Sequence, residues 1–147
     1  RKNPRLLGKT LARVMKDRND AFALLVGNGD QLNEVVSQLD SNRVKHIPQV
    51  RRDDLEQYYR VMDVFLLTSK KEGLANVLLE ALYFGVPVVS TPSGPITPQI
   101  VSNIGEDSKG LASFIVNESF HRDPLPIELN PENVEKAWLD LIKKVTN

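Results

Sequence analysis

The segment KEGLANVLLEALYFGVPVVS, residues 71–90, predicts a loop, then a helix, then a strand. Gly73 allows the backbone of the loop to approach a ligand closely. From about Leu74 the residues are good helix formers, and Gly85, with a proline two residues later, is a typical signal for the end of a helix. Residues 86–90 are mostly apolar, as in a short buried strand, and the proline lies near its start, where a missing N–H is tolerated.

The predicted helix is apolar on nearly every side. Apolar residues form a stripe at helical spacing and cover most of the remaining surface: Leu74, Val77, Leu78, Ala81 and Leu82, with Ala75, Leu79 and Phe84. We therefore expect this helix to be buried. Asn76 and Glu80 interrupt the pattern four residues apart, and so on one face. Because a carboxylate is rarely kept on a buried helix without a partner, we expect a polar group to meet this face.

Two carboxylates flank the start of this helix. Glu72 precedes the helix and Glu80 lies two turns inside it, so at a rise of about 1.5 Å per residue they are separated by about 12 Å along the axis. Between them lie the N–H groups of the first turn, which favour an anion. This order of groups matches the sugar hydroxyls, diphosphate and ribose hydroxyls of a nucleoside diphosphate sugar. The residue types alone leave a second interpretation open, in which Glu72 interacts with the helix dipole and Glu80 is solvated.

Glu72 and Glu80, in the setting EGLANVLLEA followed by GVPVV, closely resemble the E-x7-E signature of retaining glycosyltransferases. These are the GT-B-fold enzymes of glycosyltransferase family 4, also called group 1. The likeness runs from Arg1 to about Val116 and is sharpest over 68–101. It implies an α/β fold, a Rossmann-like three-layer αβα domain with a mostly parallel sheet, which is the C-terminal, donor-binding half of such an enzyme. The whole enzyme would be a hexosyltransferase that moves a sugar from a UDP-, GDP- or ADP-sugar to an acceptor.

The resemblance also implies roles for individual residues. Glu72 would be the catalytic residue that holds hydroxyls of the transferred sugar near the reacting carbon, and Glu80 would bind the ribose hydroxyls. The diphosphate would contact a lysine and the backbone amides at the start of the helix: Lys2, Gly73, Leu74, Ala75 and Asn76. The resemblance implies neither a metal nor a cofactor, because fixed N–H groups and the lysine stabilise the leaving nucleoside diphosphate.

The resemblance also implies that two further loops contact the donor. Pro48 and Val50, just after a predicted strand, would contact the nucleotide base through main-chain atoms. Gly94, in a proline-rich loop, would let the backbone approach the donor. This loop departs from the family pattern, since Pro95 stands where a second glycine is usual and Gln99 where a glutamate often occurs.

The composition of the chain indicates a globular domain without a strong charge. The 147 residues are 41% hydrophobic, which is enough for one domain with a substantial core. Lys plus Arg and Asp plus Glu are equal at 19 each, so charge favours neither nucleic acid nor an anionic membrane as a partner. The sequence has no cysteine, signal peptide or apolar run of membrane-spanning length. We expect a cytoplasmic protein, peripheral to a membrane only through parts outside this chain.

The whole chain, residues 1–147, is expected to be a single nucleotide-sugar-binding domain. It lacks an initiating Met and opens with Arg1-Lys2-Asn3-Pro4, so we expect a fragment of a longer two-domain enzyme. The first strand of this domain and the acceptor-binding domain, its partner in the same protein, would then lie outside the chain. Without that first strand the sheet would lack a central member.

The remaining sequence alternates strands with helices. Helices are predicted at 4–17 with Asn3 as the cap, at 30–40, at 54–61 with Asp53 as the cap, near 98–103, and after Asn130-Pro131; strands are predicted at 21–26, 44–47, 64–67 and 111–116. The alternation predicts an α/β sheet with mostly parallel strands. Ligands of such sheets bind beyond the carboxyl ends of the strands, where the candidate residues lie.

Three other functions fit parts of the pattern. A GT-B sugar-nucleotide epimerase would need His and carboxylate bases in its cleft, and the chain has only His46, predicted as a strand residue, and His121. A non-catalytic nucleotide-sugar-binding module would share every binding residue named above. A receiver-type signalling domain would need an acidic cluster after the early strands, which the sequence lacks.

Overall fold

The computed structural model describes residues 2–71, 75–93 and 101–121, along which helices and strands alternate. The helices are α1 (Pro4–Asp17), α2 (Leu32–Val36), α3 (Leu55–Val61), α4 (Asn76–Tyr83) and α5 (Ser108–Asn117), and the strands are β1 (Ala23–Val26), β2 (Val44–Ile47), β3 (Phe65–Leu67), β4 (Val88–Ser90) and β5 (Asn103–Ile104). Short 3₁₀ helices at Ser41–Arg43 and Arg52–Asp54 precede β2 and α3.

The strand pairings among the described residues are all parallel. β1 pairs with β2, with Ala23 opposite Val44. β3, β4 and β5 form a second sheet in that order, with Phe65 opposite Val88. The predicted α/β fold with parallel strands is confirmed. The strands are divided between two sheets, and β1 and β3 each lie at the end of their own sheet.

Helix α1 begins where the sequence predicts and packs against elements of both sheets. The Asn3 side chain accepts a hydrogen bond from Leu6 N at 3.4 Å, and a proline occupies the first turn. Val14 is buried together with Val89 of β4 and Leu111 of α5. α1 also packs against α2, which connects β1 with β2. This helix therefore links the two sheets.

Side-chain contacts between α1 and the segment containing α2 follow the same order along both. Arg5 Nε donates to Glu34 Oε1 of α2 at 2.9 Å, and further along α1 Gly8 lies beside the side-chain amide of Gln38, which follows α2. α2 starts after the carboxyl end of β1, and the residue before α1 is bonded to the residue after β3. The carboxyl ends of β1 and β3 therefore lie on the same side of the protein.

Helix α4 is largely buried, as its composition predicts. Leu78 and Ala81 of the helix pack with Val88 of β4 in one apolar core. The helix starts at Asn76, slightly later than predicted. Gly85 has a φ of 67°, in the left-handed region that favours glycine, so the predicted helix stop is confirmed.

The strand predicted at 111–116 is wrong, because these residues belong to α5. The side chain of Asp107 accepts a hydrogen bond from Gly110 N at 2.7 Å and caps the helix. Leu111 and Ile115 are both buried, one helical turn apart. A short apolar run is compatible with either a buried strand or a buried helix, and here the cap decides for the helix.

The helix predicted near 98–103 is wrong at its end, where Asn103 and Ile104 form β5. Residues 98–100 lie outside the described part of the chain. β5 pairs Asn103 with Val89 of β4, and Gly105 N donates to the carbonyl of the last β4 residue at 2.9 Å. A strand of two residues has no periodicity of its own, so this pairing depends on contacts distant in sequence.

Other boundaries shift by smaller amounts. β1, β3 and β4 start up to two residues later than predicted. The helix predicted at 30–40 is limited to Leu32–Val36, and turns follow it. Asp53 does not cap α3: it lies inside a 3₁₀ helix, and the N-cap position at Asp54 makes no side-chain capping bond. The helix predicted after Asn130 lies outside the described residues.

Candidate functional site

Buried hydrogen bonds join the carboxyl ends of β3 and β4. Thr91 Oγ1 donates to Ser69 O at 2.6 Å, and Thr91 N donates to Leu67 O at 3.0 Å. The chain leaves this edge from β3 toward α4 and from β4 toward the proline-rich loop. Two segments of the predicted sugar-nucleotide site, the one that leads to α4 and the proline-rich loop, therefore start from neighbouring strand ends.

The start of α1 lies at the same edge. Thr68 Oγ1, just after β3, donates to Asn3 O at 3.2 Å. Thr68 is buried, whereas Lys2, next to Asn3, is exposed. Lys2 thus lies beside the loop that follows β3, although it precedes that loop by more than sixty residues in the sequence.

The first turn of α4 has no side-chain cap. Ala75 occupies the N-cap position with an extended backbone and makes no side-chain hydrogen bond, and the first turn contains no acidic residue. Asn76 is exposed. The N–H groups of such a turn suit an anion. The remaining predicted residues of this region lie outside the described part of the chain: Glu72, Gly73, Leu74 and Gly94.

Glu80 on α4 is bonded to a side chain of α3. The Tyr59 hydroxyl donates to Glu80 Oε2 at 2.8 Å. Tyr59 is 4% exposed, and Glu80 is half-buried. Among the described residues, Oε1 of Glu80 has no hydrogen-bond partner and the carboxylate forms no ion pair. The polar group that the sequence predicts opposite this face is therefore a phenol of the protein itself.

Aromatic rings surround Tyr59. Its ring stacks on Phe84 with centroids 5.4 Å apart and planes at 15°, and it lies at a tilt to Phe65 with centroids 6.2 Å apart. Burial here and the hydrogen bond to Glu80 raise the pKa of the Tyr59 phenol well above its usual range. The hydroxyl consequently stays protonated at neutral pH and acts as a donor. The Tyr59 ring therefore packs in the interior of the protein.

Pro48 and Val50 follow β2, in the other sheet. Nearby, Gly27 after β1 has a φ of 104°, and its N donates to Ile47 O at 2.9 Å. His46 is a strand residue, as predicted, and its Nε2 lies 2.9 Å from Gly27 O. Pro48 is exposed and Val50 half-buried. Because β1 and β3 end on the same side, these residues and the start of α1 lie along one edge of the protein.

Sequence reasoning missed two features of this edge. It did not connect Tyr59 with Glu80, since the two are 21 residues apart and no local signal pairs them. It also did not single out Ser93, which is 1% exposed and whose Oγ has no hydrogen-bond partner within the described residues. Buried hydroxyls are nearly always bonded, so Ser93 is an exception among the described residues.

Neither a metal site nor a membrane span is found in the described ranges. Over residues 2–71, 75–93 and 101–121, no three His, Cys, Asp or Glu side chains lie close enough to hold a metal ion together. Within the same ranges, no helix has both the length and the apolar character needed to cross a bilayer.

Comparisons with known proteins identify relatives over most of the chain. Residues 1–119 match the family described as glycosyl transferases group 1. The chain is similar to the Vi polysaccharide biosynthesis protein VipC/TviE of Salmonella typhi, with 31% identity over 122 residues, covering 80% of this chain and 20% of that protein. It is also similar to the sulfoquinovosyl transferase SQD2 of Arabidopsis thaliana, with 31% identity over 107 residues, covering 73% of this chain and 20% of that protein. The chain thus spans about a fifth of the length of these two relatives.

A solved structure supports the fold. The crystal structure of AviGT4, a glycosyltransferase involved in avilamycin A biosynthesis, matches with a TM-score of 0.60 over 98% of this chain and 45% of that chain. At 18% sequence identity this likeness concerns the fold alone, the mixed α/β, Rossmann-like arrangement found in GT-B glycosyltransferases. The classification rests on the family match over 1–119, which covers well over half of the residues. The chain belongs to the glycosyl transferases group 1 family.

Proposed function

We propose that this chain is the donor-binding part of a retaining glycosyltransferase, which moves a sugar from a nucleoside diphosphate sugar to an acceptor. One observation carries the proposal: the Glu80 carboxylate, on an otherwise apolar helix, is held half-buried by Tyr59, and the uncapped start of that helix follows the carboxyl end of β3. Ligands of parallel α/β sheets bind at that end of the strands.

Glu80 binds the hydroxyls of the ribose in this proposal. Its Oε2 already accepts the Tyr59 hydroxyl, so Oε1 can accept a hydrogen bond from the nucleotide. Hydrogen bonds to an ionised carboxylate are stronger than those between neutral groups. A half-buried carboxylate with one fixed oxygen therefore suits a ribose better than a freely solvated one.

The diphosphate lies over the start of α4. Backbone amides of Gly73, Leu74, Ala75 and Asn76 donate to it, and Lys2 contributes a positive charge from the start of α1. Negative charge grows on the leaving nucleoside diphosphate as the bond to the sugar breaks, and fixed N–H groups and a cation stabilise that charge without a metal. The absence of a side-chain cap on the first turn of α4 among the described residues and the position of Lys2 beside the loop after β3 support this arrangement.

The other contacts complete the donor site. Glu72 is the catalytic residue, holding hydroxyls of the transferred sugar near the reacting carbon. Main-chain groups at Pro48 and Val50 contact the base, in keeping with their place along the same edge. Gly94 allows the backbone of the loop after β4 to approach the donor.

The complete protein works with an acceptor-binding domain. The chain covers only 20% of the length of two curated relatives, so we assign acceptor binding to other parts of the same polypeptide. We place the reaction in carbohydrate or polysaccharide synthesis in the cytoplasm, a function supported by the polysaccharide-biosynthesis relative.

The test uses the full-length protein. Titration with UDP, GDP and ADP identifies the nucleotide that binds, and transfer from the matching nucleotide sugars measures activity. We expect Glu72→Gln and Glu80→Ala each to lower transfer by about two orders of magnitude or more. Unchanged transfer in both variants would overturn the proposal. Nucleotide binding with no transfer from any of the sugars tested would instead indicate a non-catalytic binding module.

A further inference from the structure

We propose that Tyr59 is a positioning residue that orients the Glu80 carboxylate toward the ribose of the bound nucleotide. This inference rests on the proposed function of Glu80. Tyr59 lies on α3 and Glu80 on α4, and one hydrogen bond of 2.8 Å connects the Tyr59 hydroxyl with Glu80 Oε2. Tyr59 does not touch the nucleotide; it acts through Glu80.

The Tyr59 ring is fixed by its neighbours. It is 4% exposed, stacks on Phe84 and lies against Phe65. Phe84 directly follows α4 and Phe65 is the first residue of β3, so the ring is held between two separate segments of the chain. Because a tyrosine side chain has only two rotatable bonds before its hydroxyl, fixing the ring also fixes the position of the donor.

Glu80 needs such a fixed partner. A glutamate side chain on a helix has three rotatable bonds, and its terminal torsion is broad, so an unpartnered carboxylate samples many orientations. The phenol donates to Oε2 and thereby sets the direction of Oε1, which has no hydrogen-bond partner among the described residues. The protein thus orders the carboxylate before the nucleotide arrives, which lowers the entropic cost of binding.

The alternative is that Tyr59 has a structural role only and fills the core between α3, α4 and β3. Tyr59→Phe separates the two roles, because it keeps the ring and its stacking but removes the hydroxyl. A loss of packing would weaken the binding of any nucleotide, whereas a loss of orientation would weaken only nucleotides whose ribose can bond Glu80. A 2′,3′-dideoxynucleotide lacks those hydroxyls and serves as the probe.

The experiment measures dissociation constants in the full-length protein. The probes are the diphosphate among UDP, GDP and ADP that binds best, and its 2′,3′-dideoxy counterpart. We expect Tyr59→Phe to weaken binding of the ribonucleotide about tenfold, the loss expected for a hydrogen bond to a charged group, and to leave binding of the dideoxynucleotide unchanged. Tyr58→Phe is the matched control, since it removes a phenol hydroxyl from the neighbouring, half-buried position of the same helix.

Two further variants make the outcome decisive. In Tyr59→Phe/Glu80→Ala, ribonucleotide binding should be no weaker than in Glu80→Ala alone, because the positioning role of the phenol requires the carboxylate. Glu80→Asp leaves Tyr59 intact but withdraws the carboxylate by one methylene, and it should lose the same preference for ribose even if Tyr59→Phe proves unstable.

The results distinguish this inference from the proposed function. Equal weakening of both probes by Tyr59→Phe, or no weakening of either, would overturn the positioning role while Glu80→Ala still abolished the preference for ribose. If Glu80→Ala itself kept that preference, the ribose contact of Glu80 would be wrong as well.

Discussion

The hydroxyl of Thr68 donates a hydrogen bond to the backbone carbonyl of Asn3 at 3.2 Å and holds the start of α1 against the end of β3. The two residues are 65 positions apart in the sequence. Asn3 O also accepts a hydrogen bond from Leu7 N at 3.1 Å, so losing this bond would leave the buried Thr68 hydroxyl, and not the carbonyl, without a partner. The contact also constrains the position of Lys2, which is next to Asn3 in the chain.

Replacing Thr68 with valine should destabilise this edge. Thr68→Val keeps the shape of the side chain but removes the donor, and we expect a loss of about 1 kcal/mol in the free energy of unfolding, typical of one buried hydrogen bond. Urea denaturation measures the loss. Thr68→Ser keeps the hydroxyl and should retain most of that hydrogen-bond energy. An unchanged free energy of unfolding in Thr68→Val would contradict a stabilising role of this hydrogen bond.

Lys2 should contribute charge to nucleotide binding. We expect Lys2→Ala to weaken binding of the nucleoside diphosphate and to leave the uncharged nucleoside unaffected, with an effect that shrinks as salt is raised. Calorimetric titration at two salt concentrations measures this. Lys16→Ala, which removes an exposed lysine from the last turn of the same helix, is the control and should not alter binding. Equal weakening by the two variants would point to net charge instead of a specific contact.

Local signals account for the parts of the fold that the sequence predicts well. Asn3 with the following proline marks the start of α1, and Gly85 marks the end of α4, because each of these residues acts through its own backbone or a bond within one turn. The α5 helix was predictable from Asp107, whose capping side chain lies just before the apolar run. That run fits a strand and a helix equally well, so the apolar pattern alone predicts the wrong element.

Contacts between distant segments account for what the sequence does not predict. β5 exists because Asn103 and Ile104 meet β4, and two residues carry no recognisable strand pattern. In the candidate site, too, a contact between distant segments was not predictable from the sequence. The spacing of Asn76 and Glu80 predicts a polar face on α4, but the partner of that face, Tyr59, comes from another helix and is brought there by core packing.

Arg43 should be the most important arginine for the stability of the described residues. Its guanidinium donates to Met15 O at 3.1 Å and to Arg18 O at 3.0 Å, so it satisfies carbonyls at the end of α1 from the start of β2. We expect Arg43→Ala to lower the free energy of unfolding by about 1–3 kcal/mol, because it removes the bond to the partly buried Met15 carbonyl along with the exposed one to Arg18 O. Thermal or urea denaturation tests this.

A control for Arg43 is available on α1. Arg5 forms an exposed ion pair with Glu34 at 2.9 Å, and such pairs contribute little, so Arg5→Ala should cost less than about 1 kcal/mol. Similar losses in the two variants would contradict the idea that Arg43 acts as a helix cap.

Two aspartates should make stability fall in acid. The hydrogen bond from Arg18 lowers the pKa of Asp20, and the bond from Arg43 lowers the pKa of Asp40. A carboxyl group with a depressed pKa in the folded state stabilises the fold above its ordinary pKa of about 3.9, and this stabilisation is lost as pH falls through the folded value. Denaturation between pH 6 and pH 3 should show the decline, and Asp20→Asn with Asp40→Asn should flatten it. An unchanged slope in the double variant would assign the decline to other groups.

The division of the strands into two sheets leads to the last prediction. β1 and β3 each end a parallel sheet, and α1, which packs against elements of both, starts beside the carboxyl end of β3. We propose that a strand from the polypeptide ahead of Arg1 pairs between β1 and β3, runs parallel to both, and enters α1 directly. A strand, α1 and β1 would then form the right-handed crossover that parallel sheets require.

Extending the chain with the preceding residues of the natural polypeptide should therefore raise its stability. The amides of β1 and β3 should exchange hydrogen more slowly in the extended chain, because backbone groups at both sheet ends gain partners. The matched control is the same extension with a proline at its centre, which cannot donate to the ladder and should restore fast exchange. Equal protection with and without the extension would mean that β1 and β3 do not share a strand, and the single-sheet architecture would have to be abandoned for this protein.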